Sequence, residues 1–474
     1  MKKIILSVAL SCAINAVTAQ SFHKKDNMEY RRSSLYTIMI PSDKLTGTAN
    51  DIVTLTFDTL SIPDKYNDHN LGIRHIDLTK IEVSKEEIKA VKENADVKRT
   101  GIGGFLTKAG RGIGGATKKV FSNSQNAQMS DKEKVAKILK FFRENHIANK
   151  LIEKWYNKQN SLNKDGSHFN MDRIHHLGLV GASVEEINKH KETIEGERPI
   201  MDAAALDLIP RTFIMVTSYA YSSPEEVAEY ANKLSENAKA KGDEGFGALT
   251  GLVGSVASLV GDISKGHLVT ATSYLFQLDW NEEIMKKFYD KYWNATNTRE
   301  FDMSDEFTIS YVGQTTSQAW AGASKVKDTD KAHAKSIGLA TVRATDACIA
   351  RLQSRYPVFK TLTSLNVADD GTMYAYIGKK EGVKGGDEYD VLEQVPDGKG
   401  GFEYENVGTV EVEKGKVWDN RAGVGIDGDI MDEKEKKDID PNASYTVLHR
   451  ESLFTNKVKK DWTVIGGGLF IKLK

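Results

Sequence analysis

Only two cysteines, Cys12 and Cys348, occur in 474 residues, so no disulfide framework holds this chain together. Its 8 prolines argue against an extended proline-rich stalk. Neither sign of charge dominates. The 65 Lys and Arg face 66 Asp and Glu, a formal net charge of -1, which provides no global field for nucleic acid or an anionic membrane. Reactive signatures are also scarce: there is no G-x-S-x-G elbow, zincin helix, Walker loop or dinucleotide fingerprint set after a strand. A missing motif does not exclude an enzyme.

What is present is a soluble globular composition, 40% hydrophobic and 28% charged, long enough for about three units of roughly 100–200 residues. The chain opens "MKKIILSVALSCAINAVTAQ", with Lys2 and Lys3, an apolar stretch from Ile4 to Ala16 and small residues before Gln20. This is the pattern of a secretory signal cleaved after Ala19, over an apolar run too short to span a bilayer. Cys12 also admits a lipoprotein reading through "ALSC". Cleavage after Ala19 leaves Cys348 alone, on the apolar stripe of a helix, where a cysteine serves as a small hydrophobe.

Beyond the signal, "SLYTIMIP" and "DIVTLTFDTL" read as extended segments and "SIPDKYNDHNLGIR" as a polar loop. Ser84 and Glu87 form a capping box that opens a helix, and Ser130 and Glu133 form a second. Between them "GIGGFLTKAGRGIGGATKK" reads as a flexible linker rather than a phosphate loop. His168, Asp172 and His175 fall at i, i+4, i+7, a weak metal pattern with no nameable fourth ligand, so they read as solvated side chains.

"RTFIMVTSY" suits a buried strand, followed by a helix start at Ser223-Pro224-Glu225-Glu226. "GFGALTGLVGSVASLVG" is a soluble Gly/Ala segment too short to span a membrane. In "TSYLFQLDWNEEIMKKFYDKYW", Thr272, Tyr274, Phe276 and Leu278 share a strand face, Asp279 stands where an N-cap belongs, and Phe288, Tyr289, Tyr292 and Trp293 bury a helix face. "EFTISYVG" is a further strand, and Lys331 to Tyr356 is a helix stopped by Pro357. From Val358 the period changes from 3.6 to 2, with turn signals at Asp370-Gly371, Gly385-Gly386 and Asp397-Gly398, which predicts a small β barrel. The acidic loop near Asp427, Asp429 and Asp432 lacks the spacing of a calcium loop.

The expected fold is therefore α+β and multidomain, a mixed α/β middle with a small C-terminal β barrel. The expected divisions are a signal peptide at 1–19, a strand and loop region with a glycine-rich linker at 20–120, a helical segment at 121–200, an α/β domain at 201–356 and the barrel-like module at 357–474. The segments "FFRENHIANKLIEKWYN", "RTFIMVTSY", "ATSYLFQLDWNEEIMKKFYDKYWN", "ATVRATDACIARLQSRYPVFKT" and "VGTVEVEKGKVWDNR" resemble a family of uncharacterised, signal-peptide-bearing envelope proteins of Bacteroides-type bacteria. "YIGKKEGVKGGDEYDVLE" is similar to the SH3-like module of the flagellar T-ring assembly protein. Both likenesses imply a periplasmic or outer-membrane setting, and the second implies an SH3-like barrel. Asp58-Thr59-Leu60 resembles the short O-glycosylation acceptor of such bacteria.

Three functions compete. The first is a non-catalytic envelope protein acting through association or assembly, with envelope proteins or a second copy as partners, no nucleic acid, no transmembrane span after signal removal, no cofactor and no metal. The second is an exported hydrolase, and the third a glycan- or ligand-binding protein. If a polar site exists, the loop with Asp64, Asn67, Asp68 and His69 is the first place to look, although Asp and Asn also stabilise turns.

Overall fold

The computed structural model describes residues 33–41, 48–61, 63, 66–67, 69–91, 129–163, 166–174, 205–222, 266–295, 297–322, 329–368, 370–396, 402–423, 437–453 and 469–473. Outside them lie the signal peptide, the glycine-rich segment 101–119, His175, the helix start at 223–226, the Gly/Ala segment, the 397–398 turn and residues 427–432 of the acidic loop.

The chain is α+β. Its N-terminal part is built on a five-stranded sheet of order β2-β1-β3-β4-β5, comprising β1 (Ser33–Ile40), β2 (Tyr66–Asn67), β3 (Thr212–Ser222), β4 (Gly266–Leu278) and β5 (Ile309–Gly322). β1 runs parallel to β2 and β3, whereas β3, β4 and β5 are antiparallel neighbours. Alternation sends Tyr36, Ile38, Ile214, Val216, Tyr274 and Phe276 to one face, and Leu35, Met39, Phe213, Met215, Val269 and Ala271 to the other. Both faces are covered, so these strands are apolar on both sides.

On the first face lie α3 (Asp131–Glu144), α4 (Ile147–Trp155) and α5 (Glu282–Phe288). Strand β1, helices α3 and α4, and strands β3 and β4 come from three of the expected units and share one hydrophobic cluster. The aromatic residues after α5 are core, as the spacing predicts: Phe288 and Tyr292 are buried, with Tyr289 and Trp293 packed beside them. The cap differs from expectation. Asn281, not Asp279, caps α5, its Oδ1 accepting from the Ile284 N–H at 2.9 Å. Asp279 instead accepts from the hydroxyls of Thr308 and Ser310 at 2.7 and 2.9 Å. Tertiary partners outweigh the local option.

The second face carries α1 (Thr48–Thr59) and the long α7 (Thr329–Arg355), which follows the short α2 (Lys85–Ala90) and α6 (Arg299–Asp302) in the chain. α1 covers most of "DIVTLTFDTL", which reads as extended because of its β-branched residues. Ile52, Val53, Thr56 and Phe57 form a helical stripe that buries against the sheet, and packing overrides the weak local preference. α7 also shields the sheet edge. Arg351 donates to the Thr316 carbonyl at 2.6 Å and Arg355 to the Gln314 carbonyl at 3.1 Å, occupying exposed β5 acceptors. The Tyr356 ring lies against Gly313, where any Cβ would overlap it.

Beyond α7 a seven-stranded antiparallel sheet has the order β6-β14-β9-β10-β13-β8-β7, formed by β6 (Thr363–Ser364), β7 (Asn366–Val367), β8 (Met373–Ala375), β9 (Glu388–Pro396), β10 (Phe402–Val412), β13 (Thr446–Leu453) and β14 (Leu469–Leu473). A parallel pair, β11 (Val417–Trp418) with β12 (Ile439–Asp440), accompanies it. The predicted turn at Asp370-Gly371 links β7 to β8, with Gly371 at φ 84°. This module has its own apolar cluster. It touches α7 through Arg343, which donates to the Ala422 carbonyl at 2.9 Å, and through Lys380, which lies 3.8 Å from Asp346.

Candidate functional site

A groove of about 600 Å³ opens where α2, α3 and the α3–α4 junction meet the start of β5. Local rules set its walls. Ser84 caps α2 in the predicted box, its hydroxyl accepting from the Glu87 N–H at 3.1 Å while the Glu87 carboxylate accepts from the Ser84 N–H at 2.8 Å. The backbone bond from Ser84 is the main cause holding the Glu87 carboxyl below its ordinary range. Ser130 caps α3 by accepting from the Glu133 N–H at 3.1 Å. The chain then turns at His146, whose left-handed φ of 47° starts α4.

Val91, Leu139, Phe142 and Phe307 make the apolar lining. The rim alternates in sign. Glu87 lies 3.5 Å from Arg143, and Asp305 lies 3.9 Å from His146. Deeper in stands Asn149, 1% exposed. Its amide donates to the carbonyls of Phe301 and Ser304 at 2.5 and 3.1 Å, while its Oδ1 is buried without a hydrogen-bond partner. A buried acceptor left open costs roughly 1–3 kcal/mol, and Asn149 sets this polar group in the wall of the groove. A largely apolar cleft of this size with a few convergent polar groups has the form of a binding site. Sequence reading passed over Asn149. Its signal is an amide within the apolar stripe of Ala148, Leu151 and Ile152.

A second, polar cleft of about 590 Å³ lies between the end of α4 and residues 172–173, lined by Glu153, Lys154, Asn157, Lys158, Asn160, Asp172 and Arg173. Lys158 bridges Glu153, at 2.7 Å, and Asp302.

Part of the polar loop is described. Asp64 and Asp68 lie outside the described residues. Asn67 ends the edge strand β2, in register with Ser34, and His69 is 1% exposed. The His69 ring sits 4.8 Å from Trp155, and neither of its nitrogens has a hydrogen-bond partner. Burial first, then the charges of Arg173 and Lys154, hold its pKa well below the ordinary value. His69 is thus a neutral ring in the aromatic layer, and neither it nor Asn67 lines either cleft.

The helical spacing does not extend back to His168, which precedes the helical residues 172–174, and its Nδ1 lies 3.1 Å from the Gln159 carbonyl. Among the described residues no three His, Cys, Asp or Glu side chains group to hold a metal. Cys348 is buried, its thiol donating to the Ala271 carbonyl at 3.4 Å, and burial raises its pKa. Thr59 closes α1 with its hydroxyl on the Leu55 carbonyl at 2.9 Å. In comparisons with known proteins, no family model, no curated protein and no solved structure matches the chain.

Proposed function

We propose that this is an exported, non-catalytic envelope protein that acts by association, and that the groove beside α3 receives a segment of an envelope protein. The observation that carries the reading is the groove itself: aromatic and aliphatic lining, an open buried acceptor at Asn149 Oδ1, and a rim of both charge signs. Such a lining favours an amphipathic peptide segment, whose apolar side meets the lining and whose polar side chains meet the rim. Export to the periplasm or outer membrane rests on the basic, apolar and small-residue order of the first 19 residues. Among the described residues no helix is long and apolar enough to cross a membrane.

The C-terminal module is assigned the part of an SH3-like barrel. Its support is that the two outermost strands, β6 and β7, are separated only by Leu365, one pairing with β14 and the other with β8. One strand interrupted at Leu365 would then close the ring and leave no free edge.

A photo-crosslinking side chain at Asp305, on the groove rim, tests the association in intact cells. An envelope protein should be trapped from position 305 and not from Tyr445, an exposed site on the C-terminal sheet. Equal trapping from both positions would remove the groove from the account. A purified monomer hydrolysing a peptide or glycan would replace it with the enzyme.

A further inference from the structure

At the far end of the central sheet three side chains form a chain apart from both clefts. Tyr221 Oη, near the end of β3, lies 2.7 Å from His267 Nδ1 at the start of β4, and His267 Nε2 lies 2.6 Å from Nδ1 of His333 in the first turns of α7. The two imidazoles are 4.7 Å apart between centroids and tilted by 58°. His267 is 3% exposed, while His333 is on the surface.

We propose that His267 and His333 form a two-imidazole clip for a late transition-metal dication of the Zn²⁺, Ni²⁺ or Cu²⁺ class, with Tyr221 as its positioning residue. Neutral imidazole nitrogen suits these ions, whereas Mg²⁺ and Ca²⁺ require oxygen. Two nitrogens at about 2.0–2.1 Å from a tetrahedral ion stand roughly 3.3 Å apart. The pair must therefore open from its hydrogen-bonded spacing of 2.6 Å, and the surface ring of His333 supplies that movement.

Proton placement is the second requirement. For His267 Nε2 to offer a lone pair, the ring proton must sit on Nδ1, where Tyr221 Oη accepts it; an outer partner of this kind fixes both tautomer and ring orientation. In the free pair His333 Nδ1 then carries the proton that it donates to His267 Nε2, and binding requires the surface ring of His333 to change tautomer, Nδ1 giving its proton to solvent and Nε2 taking one up. Each ring carries one proton before and after, so the neutral pair binds without net proton release. Only the bond between the imidazoles is exchanged for two metal–nitrogen bonds. Among the described residues no third His, Cys, Asp or Glu joins the pair, so the clip itself supplies two ligands. The site is an open one rather than a closed structural centre.

Calorimetric titration of the purified chain with zinc, nickel or copper chloride tests this. One ion should bind per chain, with magnesium chloride giving no saturable heat. His333→Ala should weaken binding by more than tenfold, and Tyr221→Phe by about tenfold or more, as outer partners of metal-bound histidines do. Copper-loaded protein should show nitrogen hyperfine splitting from two imidazoles, reduced to one in His333→Ala. Because His333 is on the surface, this variant should still fold cooperatively to the original secondary structure when no metal is present, with at most the loss of one hydrogen bond to His267. Absence of saturable binding to the original chain, or equal affinity in His333→Ala, would overturn the clip.

Discussion

The first face of the central sheet and the part of the second face under the middle of α7 are packed by opposite means. On the face under α3, α4 and α5, large rings do the filling: Phe288 stacks on Tyr156 at 4.6 Å and meets Phe169 and Phe301 edge-on at 5.1 and 5.6 Å. Under the first and middle turns of α7 the buried helix residues include the small Ala334, Ala340, Ala344 and Cys348, while toward the helix end the same face is filled by rings, Phe213 meeting Phe359 edge-on at 4.9 Å. Hydroxyls are buried beside the small residues in pairs, Thr217 with Ser273 at 2.8 Å and Tyr219 with Thr345 at 2.7 Å. Rings gain from area and edge-to-face geometry. Small residues gain from close approach, which also brings hydroxyls within bonding reach. The same strands therefore support a face sensitive to lost volume and a face sensitive to added volume.

The largest expected effect is on the ring face. Phe288→Ala should destabilise the chain by about 3–5 kcal/mol, since the transfer and cavity terms add where neighbouring rings collapse only partly. Chemical denaturation measures it. A loss under about 1 kcal/mol would mean that the rings are loosely packed and that the contrast between the faces is false.

On the helix face the sign of the volume change reverses. Ala344→Leu, at a position with no exposure, should cost roughly 1–3 kcal/mol through overpacking. In a loose interface the added methylenes would be neutral or stabilising, and that outcome would break the comparison from the other side. Ala344→Ser sharpens it, because the neighbouring hydroxyl pairs show that this layer accommodates small polar groups; its cost should be the smaller of the two.

The ring face was largely legible in the sequence. Phe288 and Tyr292 recur at helical spacing just after a strand whose Tyr274 and Phe276 alternate, so period alone places them. What escaped depends on partners distant in the chain. Asp279 has the right residue type for a cap, but Thr308 and Ser310, some thirty residues on, claim its carboxylate. α1 is β-branched, and its stripe becomes decisive only when a sheet exists to pack on. The candidate groove joins Glu87 to Arg143, 56 positions apart, a pairing that no local window contains. The composition of the polar loop suggested chemistry. The side chain of His69 went instead to the aromatic layer, where a flat ring fits beside Trp155 whatever its polarity.

That placement leads to the smallest effect near neutral pH. Folded His69 has its pKa depressed by burial, then by Arg173 and Lys154, while the unfolded value stays near 6.5. Between the folded value and about 6.5 the unfolded chain binds the extra proton. This group therefore costs nothing well above pH 6.5 and removes stability progressively as pH falls below it. Replacing the ring by His69→Phe keeps the contact with Trp155 and deletes the titration. The variant should match or slightly exceed the original at pH 8, because two unpaired buried nitrogens are lost. It should lose less stability between pH 7 and pH 5. Denaturation midpoints measured for both chains at pH 8, 7, 6 and 5 decide it. Parallel curves would show that His69 gains a partner or water in solution, and that the ring face tolerates one wet residue among its aromatics.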